Sequence, residues 1–173
     1  KSRVIGVAYD GSGYGEDGTV WGGEFLIANC KEFERFGHLN LVSMPGGDVA
    51  ARNPMRMAIS YLYKSYKDKA LEKFKDVCSF LNYTEHLSTE IKEVKICIDM
   101  MKKDINSPKT SSMGRLFDAA AYMLGFSKKI TFEGEAAIYL ENIASSDNTD
   151  SYDFNIDLKN ENYIINTDNI IIG

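Results

Sequence analysis

At 173 residues, with 44% hydrophobic and 26% charged residues, the chain has the composition of a globular protein long enough for one domain or two small lobes around a real core. No apolar run approaches the roughly 20 residues of a membrane helix, and a net charge of −5 argues against a general surface for nucleic-acid phosphates. The three cysteines, Cys30, Cys78 and Cys97, show no Cys-x-x-Cys spacing and predict a reducing, cytoplasmic setting with buried or idle thiols.

Lys1-Ser2-Arg3 runs straight into a strand with no signal-peptide pattern, and this start, like the close at Asn169 to Gly173, reads as that of a piece of a longer chain. Val4 to Tyr9 read as a mostly buried strand with Asp10 at its C-terminal end. Gly11, Gly13, Gly15 and Gly18 then allow close backbone approach to a ligand, so that Asp10 can hold a divalent cation while the turn's N–H groups face a phosphate. Glu16-Asp17-Gly18-Thr19 between Tyr14 and Val20-Trp21 is equally a hairpin turn, and both readings can hold together.

Phe25 to Ala28 and Phe36 to Val42 continue an antiparallel sheet, with His38 on the sheet surface. Met44-Pro45-Gly46-Gly47-Asp48 is turn chemistry. Asn53 and Pro54 supply an N-cap and a first-turn proline for a helix over Met55 to Tyr66. Two further helices follow, Lys69 to Leu81 and Ser88 to Ile105. In the second, Ile91, Val94, Ile98, Met101 and Ile105 form a core-facing stripe, and Met57, Met100 and Met101 read as core filling. Lys67, Lys69, Lys73 and Lys75 read as a solvated helix face before a basic patch, and His86 as exposed. Lys64 to Asp104 thus reads as a helical subdomain without a chemical motif.

After Asn106-Ser107-Pro108, the hydroxyl-rich Thr110-Ser111-Ser112 caps a small-residue helix ended by Gly125. Gly114 in its first turn costs helix stability, which is explained if a ligand or another backbone approaches there, and Asp118 lies one turn on. A helix over Glu133 to Ile143 turns Ala136, Ala137 and Leu140 inward. Ser145 to Ser151 is a polar linker, and Tyr152 to Leu158 alternates as a half-exposed strand paired with Tyr163 to Ile165.

Asp10-Gly11-Ser12-Gly13-Tyr14-Gly15, Trp21-Gly22-Gly23-Glu24, Pro45-Gly46-Gly47-Asp48, Thr110 to Asp118, and Glu133-Gly134-Glu135-Ala136-Ala137 together resemble the C-terminal catalytic domain of the HypF hydrogenase-maturation carbamoyltransferases. The resemblance implies an α/β chain, α+β at the level of this piece, within an actin-like, sugar-kinase-like ATPase fold with a mixed sheet and an inserted helical subdomain. Its divisions would be 1–60, a first-lobe sheet; 61–108, the helical subdomain; and 109–173, the nucleotide-binding helix and last strands.

Members convert carbamoyl phosphate and ATP to carbamoyl-adenylate and pass the carbamoyl group to the C-terminal cysteine of the partner HypE, whose thiocarboxamide supplies cyanide for the nickel-iron centre. Carried over residue by residue, Asp10 is the metal-holding acid; Gly11, Gly13 and Gly15 the phosphate-facing turn; and Gly114, Asp118 and Glu133 nucleotide contacts. Gly22, Gly23, Glu24, Gly46, Gly47, Asp48 and Arg52 are candidates for loops facing the site, while a structural turn explains both glycine pairs equally well. No catalytic residue is assigned.

The family's His-x-x-x-His pair, upstream of the Asp10 strand, and its last glycine-rich segment with a further metal-binding acid are absent from these residues. The chain alone is therefore expected to be inactive, and a magnesium, zinc or other transition-metal ion would be completed elsewhere. The chemistry implied is acyl transfer from a mixed anhydride to a thiolate, with the three cysteines of the chain as bystanders. The rival readings are a small-molecule O-carbamoyltransferase or other kinase-like ATP enzyme, and a non-catalytic docking module built on Lys64 to Asp104.

Overall fold

The structure is a computed structural model that describes residues 2–83 and 87–172. The expectation for His86 lies outside the described residues. Strand β1 (Val4–Tyr14) turns back through Glu16 to Thr19 into β2 (Val20–Ala28), and β3 (Phe33–Leu39) adds antiparallel on the far side. The two-residue β4 (Val42–Ser43) leads into α1 (Asp48–Ala51) and the central α2 (Pro54–Tyr66). Helices α3 (Ala70–Phe80) and α4 (Leu87–Lys102) follow. Then come β5 (Lys109–Thr110), α5 (Met113–Met123), α6 (Glu135–Ile143), the hairpin β6 (Asn155–Lys159) and β7 (Asn162–Asn166), and a short α7 (Asp168–Ile172).

The strands form one mixed sheet in the order β4-β5-β2-β3-β7-β6, with β1 pairing only to β2. β5 joins β2 in parallel at Val20 and Thr110, and β7 joins β3 in parallel at Gly37 to Leu39. The far edge of β2 is therefore shared, β3 taking Glu24 to Ala28 and β5 taking Val20. That sharing brings Thr110-Ser111-Ser112 against the hairpin.

Helix α2 is buried nearly all round because it lies between two apolar clusters. On one face Met55, Ile59 and Leu62 meet Phe74 and Cys78 of α3, Val94 and Cys97 of α4, and Tyr122 of α5; Phe74 stacks on Tyr122 with ring centres 5.9 Å apart. On the other, Met57 and Tyr61 meet Val42, Met44, Leu116 and Ala119. Both clusters draw on residues from either side of the expected division at 108/109, and both also join residues across 60/61. The helices α3 and α4 have no separate core among the described residues.

Several expectations are corrected. The apolar β1 is exposed instead of buried, because its only pairing is with β2. Trp21-Gly22-Gly23-Glu24 lies inside β2 and is not a loop. His38 is buried, not on the sheet surface; its Nδ1 lies 2.8 Å from the Leu39 carbonyl, to which it donates, and burial lowers its pKa. Asn53 stands at the N-cap of α2 but does not cap it, since its amide donates to Glu93.

Helix α4 ends at Lys102, where Asp104 takes a positive φ of 52° and Ile105 N–H closes onto the Met100 carbonyl, leaving Ile105 exposed. β6 is exposed on both faces, and Tyr152 to Phe154 precede it as irregular chain. Cys30 is exposed, while Cys78 and Cys97 are buried as expected. No helix among the described residues is long and apolar enough to cross a membrane.

Burial raises both inner thiols, that of Cys97 to about 11, so neither ionises near neutral pH. A disulfide-exchange reagent at pH 8 should therefore modify Cys30 alone in the native protein, with the other two reacting only in denaturant. Rapid native labelling of a second thiol would contradict this packing.

Candidate functional site

The site is built where the β1–β2 hairpin meets the start of α5. Pairing along the hairpin passes from Tyr9 opposite Gly23 to Gly13 opposite Trp21, so Asp10, Gly11 and Ser12 stand opposite Gly22 alone. The surplus residues bulge toward α5. Two glycines make room for them. A Cβ on Gly22 would lie 2.5 Å from the Asp10 carbonyl oxygen, and one on Gly114 2.7 Å from Gly11 Cα. The helix-weakening glycine in the first turn of α5 thus serves the approach of another backbone, one of the two explanations its sequence position left open.

Each hydroxyl of Thr110-Ser111-Ser112 is used. Thr110 Oγ1 donates to the Val20 carbonyl at 2.9 Å, and Ser111 Oγ donates to Glu24. Ser112 Oγ lies 2.9 Å from the Asp10 and 2.7 Å from the Gly11 carbonyl oxygens, and it caps α5 by accepting the Arg115 N–H at 3.2 Å.

Beneath the hairpin, Glu24 is almost fully buried. Its Oε2 accepts the N–H groups of Gly22 and Gly23 at 2.5 and 2.7 Å, and its Oε1 pairs with Arg35 Nη2 at 2.8 Å. Arg35 in turn bonds Asp17 at 2.7 Å and lies over the Trp21 ring, 4.3 Å from its centre. Slight burial works to raise the Asp17 pKa, but hydrogen bonds from Thr19 and Trp21 and the Arg35 charge outweigh it and hold the carboxyl at about 2.

Above this base opens a cleft of about 820 Å³. The bulge (Asp10, Gly11, Ser12) forms one wall, and the first turns of α5 (Gly114, Arg115, Phe117, Asp118) form another. Arg52 after α1 and the segment Ile130 to Gly134 before α6 close it. Ile130 N–H donates to the Arg52 carbonyl at 3.0 Å, which ties these two walls together. Thr131 is held in turn by Glu135, whose carboxylate takes its N–H at 2.7 Å and its hydroxyl at 2.9 Å and pairs with Lys128.

Asp118 is buried on the cleft wall, and Arg115 Nε stands 2.8 Å from its Oδ2. Burial raises its pKa to about 6 against the opposing pull of Arg115. The contact is a close ion pair without an aligned hydrogen bond, so Oδ2 retains an unfilled acceptor site.

Of the residues singled out in the sequence, Asp10, Gly11, Arg52, Gly114, Asp118 and Glu133 line this one cleft. Gly13 and Gly15 instead pack beside Trp21 within the hairpin. Gly22, Gly23 and Glu24 lie beneath the bulge. Gly46 and Gly47 form the turn before α1, where Pro45 accepts from Arg56 at 2.9 Å, and Asp48 opens α1 on the surface. Sequence reading missed Arg35 and Ser111 as partners of Glu24, and Asp17 as the second partner of Arg35. No local spacing signals them, since Ser111 lies 87 residues from Glu24.

Among the described residues no group of three or more His, Cys, Asp or Glu could hold a metal ion. Asp10 supplies one carboxylate, and its Oδ1 already takes the Gly11 N–H at 2.6 Å. By themselves these residues do not make a metal centre.

The fold is thus a mixed α/β domain with a cleft at the start of a helix. Residues 6–172 match the family described as "Carbamoyltransferase, Kae1-like Domain, second subdomain", and the chain belongs to that family. It is 37% identical over 168 residues to the probable carbamoyltransferase HypF of Methanocaldococcus jannaschii, covering 97% of this chain and 20% of that protein. With a carbamoyltransferase HypF homolog of Cupriavidus necator it shares 41% identity over 145 residues, 84% of this chain and 34% of the other.

Among solved structures, full-length HypF in its phosphate- and nucleotide-bound form superposes with a TM-score of 0.78 at 34% identity, over 99% of this chain and 21% of that one. HypF of T. kodakarensis superposes with a TM-score of 0.74 at 31% identity, over 97% and 22%. The chain thus spans about a fifth of the length of most of these proteins.

Removing Glu24 takes the buried one of two carboxylates from Arg35 and strands two backbone donors. Glu24→Ala should cost about 3–5 kcal/mol in a denaturant titration, whereas Asp17→Ala, at the more exposed end of the network, should cost about 1 kcal/mol or less. Equal losses would refute the assignment of Glu24 as the centre of the network.

Proposed function

We propose that this chain is the nucleotide-holding second subdomain of the Kae1-like domain in a longer cytoplasmic carbamoyltransferase. The cleft receives an adenine nucleotide, as ATP or as the carbamoyl-adenylate formed from carbamoyl phosphate and ATP. The carbamoyl group then passes to the C-terminal cysteine of a HypE-like acceptor, toward the cyanide ligands of a nickel-iron hydrogenase. The observation that carries the reading is the convergence of Asp10, Gly11, Gly114, Asp118, Glu133 and Arg52 on one cleft. Family membership and a nucleotide-bound relative lend it independent support.

In this reading Asp118, on the cleft wall, takes hydrogen bonds from the ribose hydroxyls on the side of its carboxylate turned away from Arg115. Arg52 offsets phosphate charge, and no other charged side chain among the described residues forms an ion pair with it. The bulge and the first turn of α5 shape the wall along which the phosphate lies, with Glu133 at the outer lip. The nucleophile is the acceptor's thiolate, so no residue of the cleft forms a covalent bond.

The ribose contact needs the carboxylate form of Asp118. With its pKa raised to about 6, that form is present above pH 6 and is lost as the pH falls. Calorimetric titration with ATP and magnesium should accordingly give a Kd that is flat from pH 7 to 8 and weakens, approaching roughly 10-fold per unit, below pH 6. Asp118→Asn should bind more weakly at pH 8 and lose the acid-side dependence. Unchanged binding by this variant would remove the nucleotide reading of the cleft.

In the full-length polypeptide, transfer of labelled carbamoyl phosphate to the acceptor protein should require the acceptor's terminal cysteine. Transfer that survives its replacement by alanine would redirect the assignment toward a small-molecule acceptor.

A further inference from the structure

We infer that Ser112 is a positioning residue for the cleft. Its hydroxyl locks the Asp10–Ser12 bulge onto the first turn of α5 and thereby sets where Asp10 stands relative to Asp118. The inference rests on the nucleotide reading of the cleft and concerns a residue that does not itself line it.

The bulge has little else to hold it. Three residues there face one on β2, so the ladder that fixes the rest of the hairpin is interrupted at Asp10, Gly11 and Ser12. What replaces it is Ser112, fully buried, with its oxygen 2.9 and 2.7 Å from the Asp10 and Gly11 carbonyls. One hydroxyl proton serves whichever carbonyl is nearer, while the oxygen accepts the Arg115 N–H at 3.2 Å.

The same atom therefore fixes the bulge and the turn that carries Arg115 and, one turn on, Asp118. Neighbouring Thr110 and Ser111 are equally buried but direct their hydroxyls to Val20 and Glu24, so neither can substitute for it. Gly114 completes the lock by letting Gly11 come within the distance a side chain would occupy.

The cap and the lock separate by substitution. Glycine is tolerated at an N-cap nearly as well as serine, so Ser112→Gly keeps α5 although it gives up the bond to the Arg115 N–H, and its main effect is to release the bulge. In the full-length polypeptide, steady-state carbamoyl transfer is measured for S112G, D10N and the double variant. S112G should lower kcat roughly 10-fold or more, with KM for ATP within about twofold of the parent, because the loosened wall misplaces Asp10 beside the phosphate while the ribose contact at Asp118 is kept. In the D10N background the same change should cost less than about twofold, since the group it positions is gone.

Gly114→Ala leaves the hydroxyl in place but forces the bulge away. It should reproduce the kcat loss and the lack of additivity, giving a second route should S112G fold poorly. Losses that multiply across the cycle, or a parent-like kcat in S112G or D10N, would overturn the role of Ser112. Failure of the underlying reading is separately visible as an Asp118→Asn enzyme with unchanged nucleotide KM, and it would take the Ser112 role with it.

Discussion

The buried carboxylate of Glu24 is the point on which the N-terminal architecture depends. A charged group so deep costs several kcal/mol unless every lone pair is used, and here each oxygen has partners: two backbone N–H groups of its own strand, Arg35 of β3 and Ser111 of the segment before α5. These partners lie on three separate parts of the chain. Glu24 therefore joins the hairpin, its sheet neighbour and the helix that walls the cleft. Arg35 extends the arrangement to Asp17 in the hairpin turn, and Trp21 covers the guanidinium.

From that anchored base the cleft is produced by a mismatch. Extra residues in β1 must leave the plane of the hairpin, and the direction in which they leave is set by the two glycines that accept them and by Ser112. Asp118 bears the opposite constraint. It is buried at an energetic cost visible in its raised pKa, with Arg115 recovering part of that cost and leaving one oxygen unfilled.

The sequence was readable wherever the signal is local. The hairpin turn at Asp17-Gly18, the proline start of α2, the hydroxyl cap and glycine end of α5, and the pairing of β6 with β7 all follow from a few neighbouring residues. The cleft was legible in part for the same reason, since Asp10, Gly114 and Asp118 sit in recognisable blocks. What could not be read is long-range. Nothing near Glu24 announces that its partners are Arg35 and Ser111, and nothing near Asn53 announces that Glu93 will take its amide away from the cap. His38 misled because alternation along a strand tells which side a residue faces, not what lies over that side.

β1 carries the same lesson in reverse. Val4, Ile5, Val7 and Tyr9 have the apolar character of an interior strand, yet all four are exposed. With Phe25, Phe36, Leu116, Phe117 and Phe154, Ile5 and Tyr9 line a largely apolar groove of about 1100 Å³ on the sheet. Hydrophobic pattern records the environment in which a strand is stable, while exposure records only the atoms present around it. Because Tyr9, Met113 and Phe117 border both the groove and the cleft, a change in packing on the apolar side would be felt at the wall that carries Asp10 and Asp118. The site's geometry is thus set from two directions: from below by the satisfied charges around Glu24, and from the side by an apolar surface that continues directly into it.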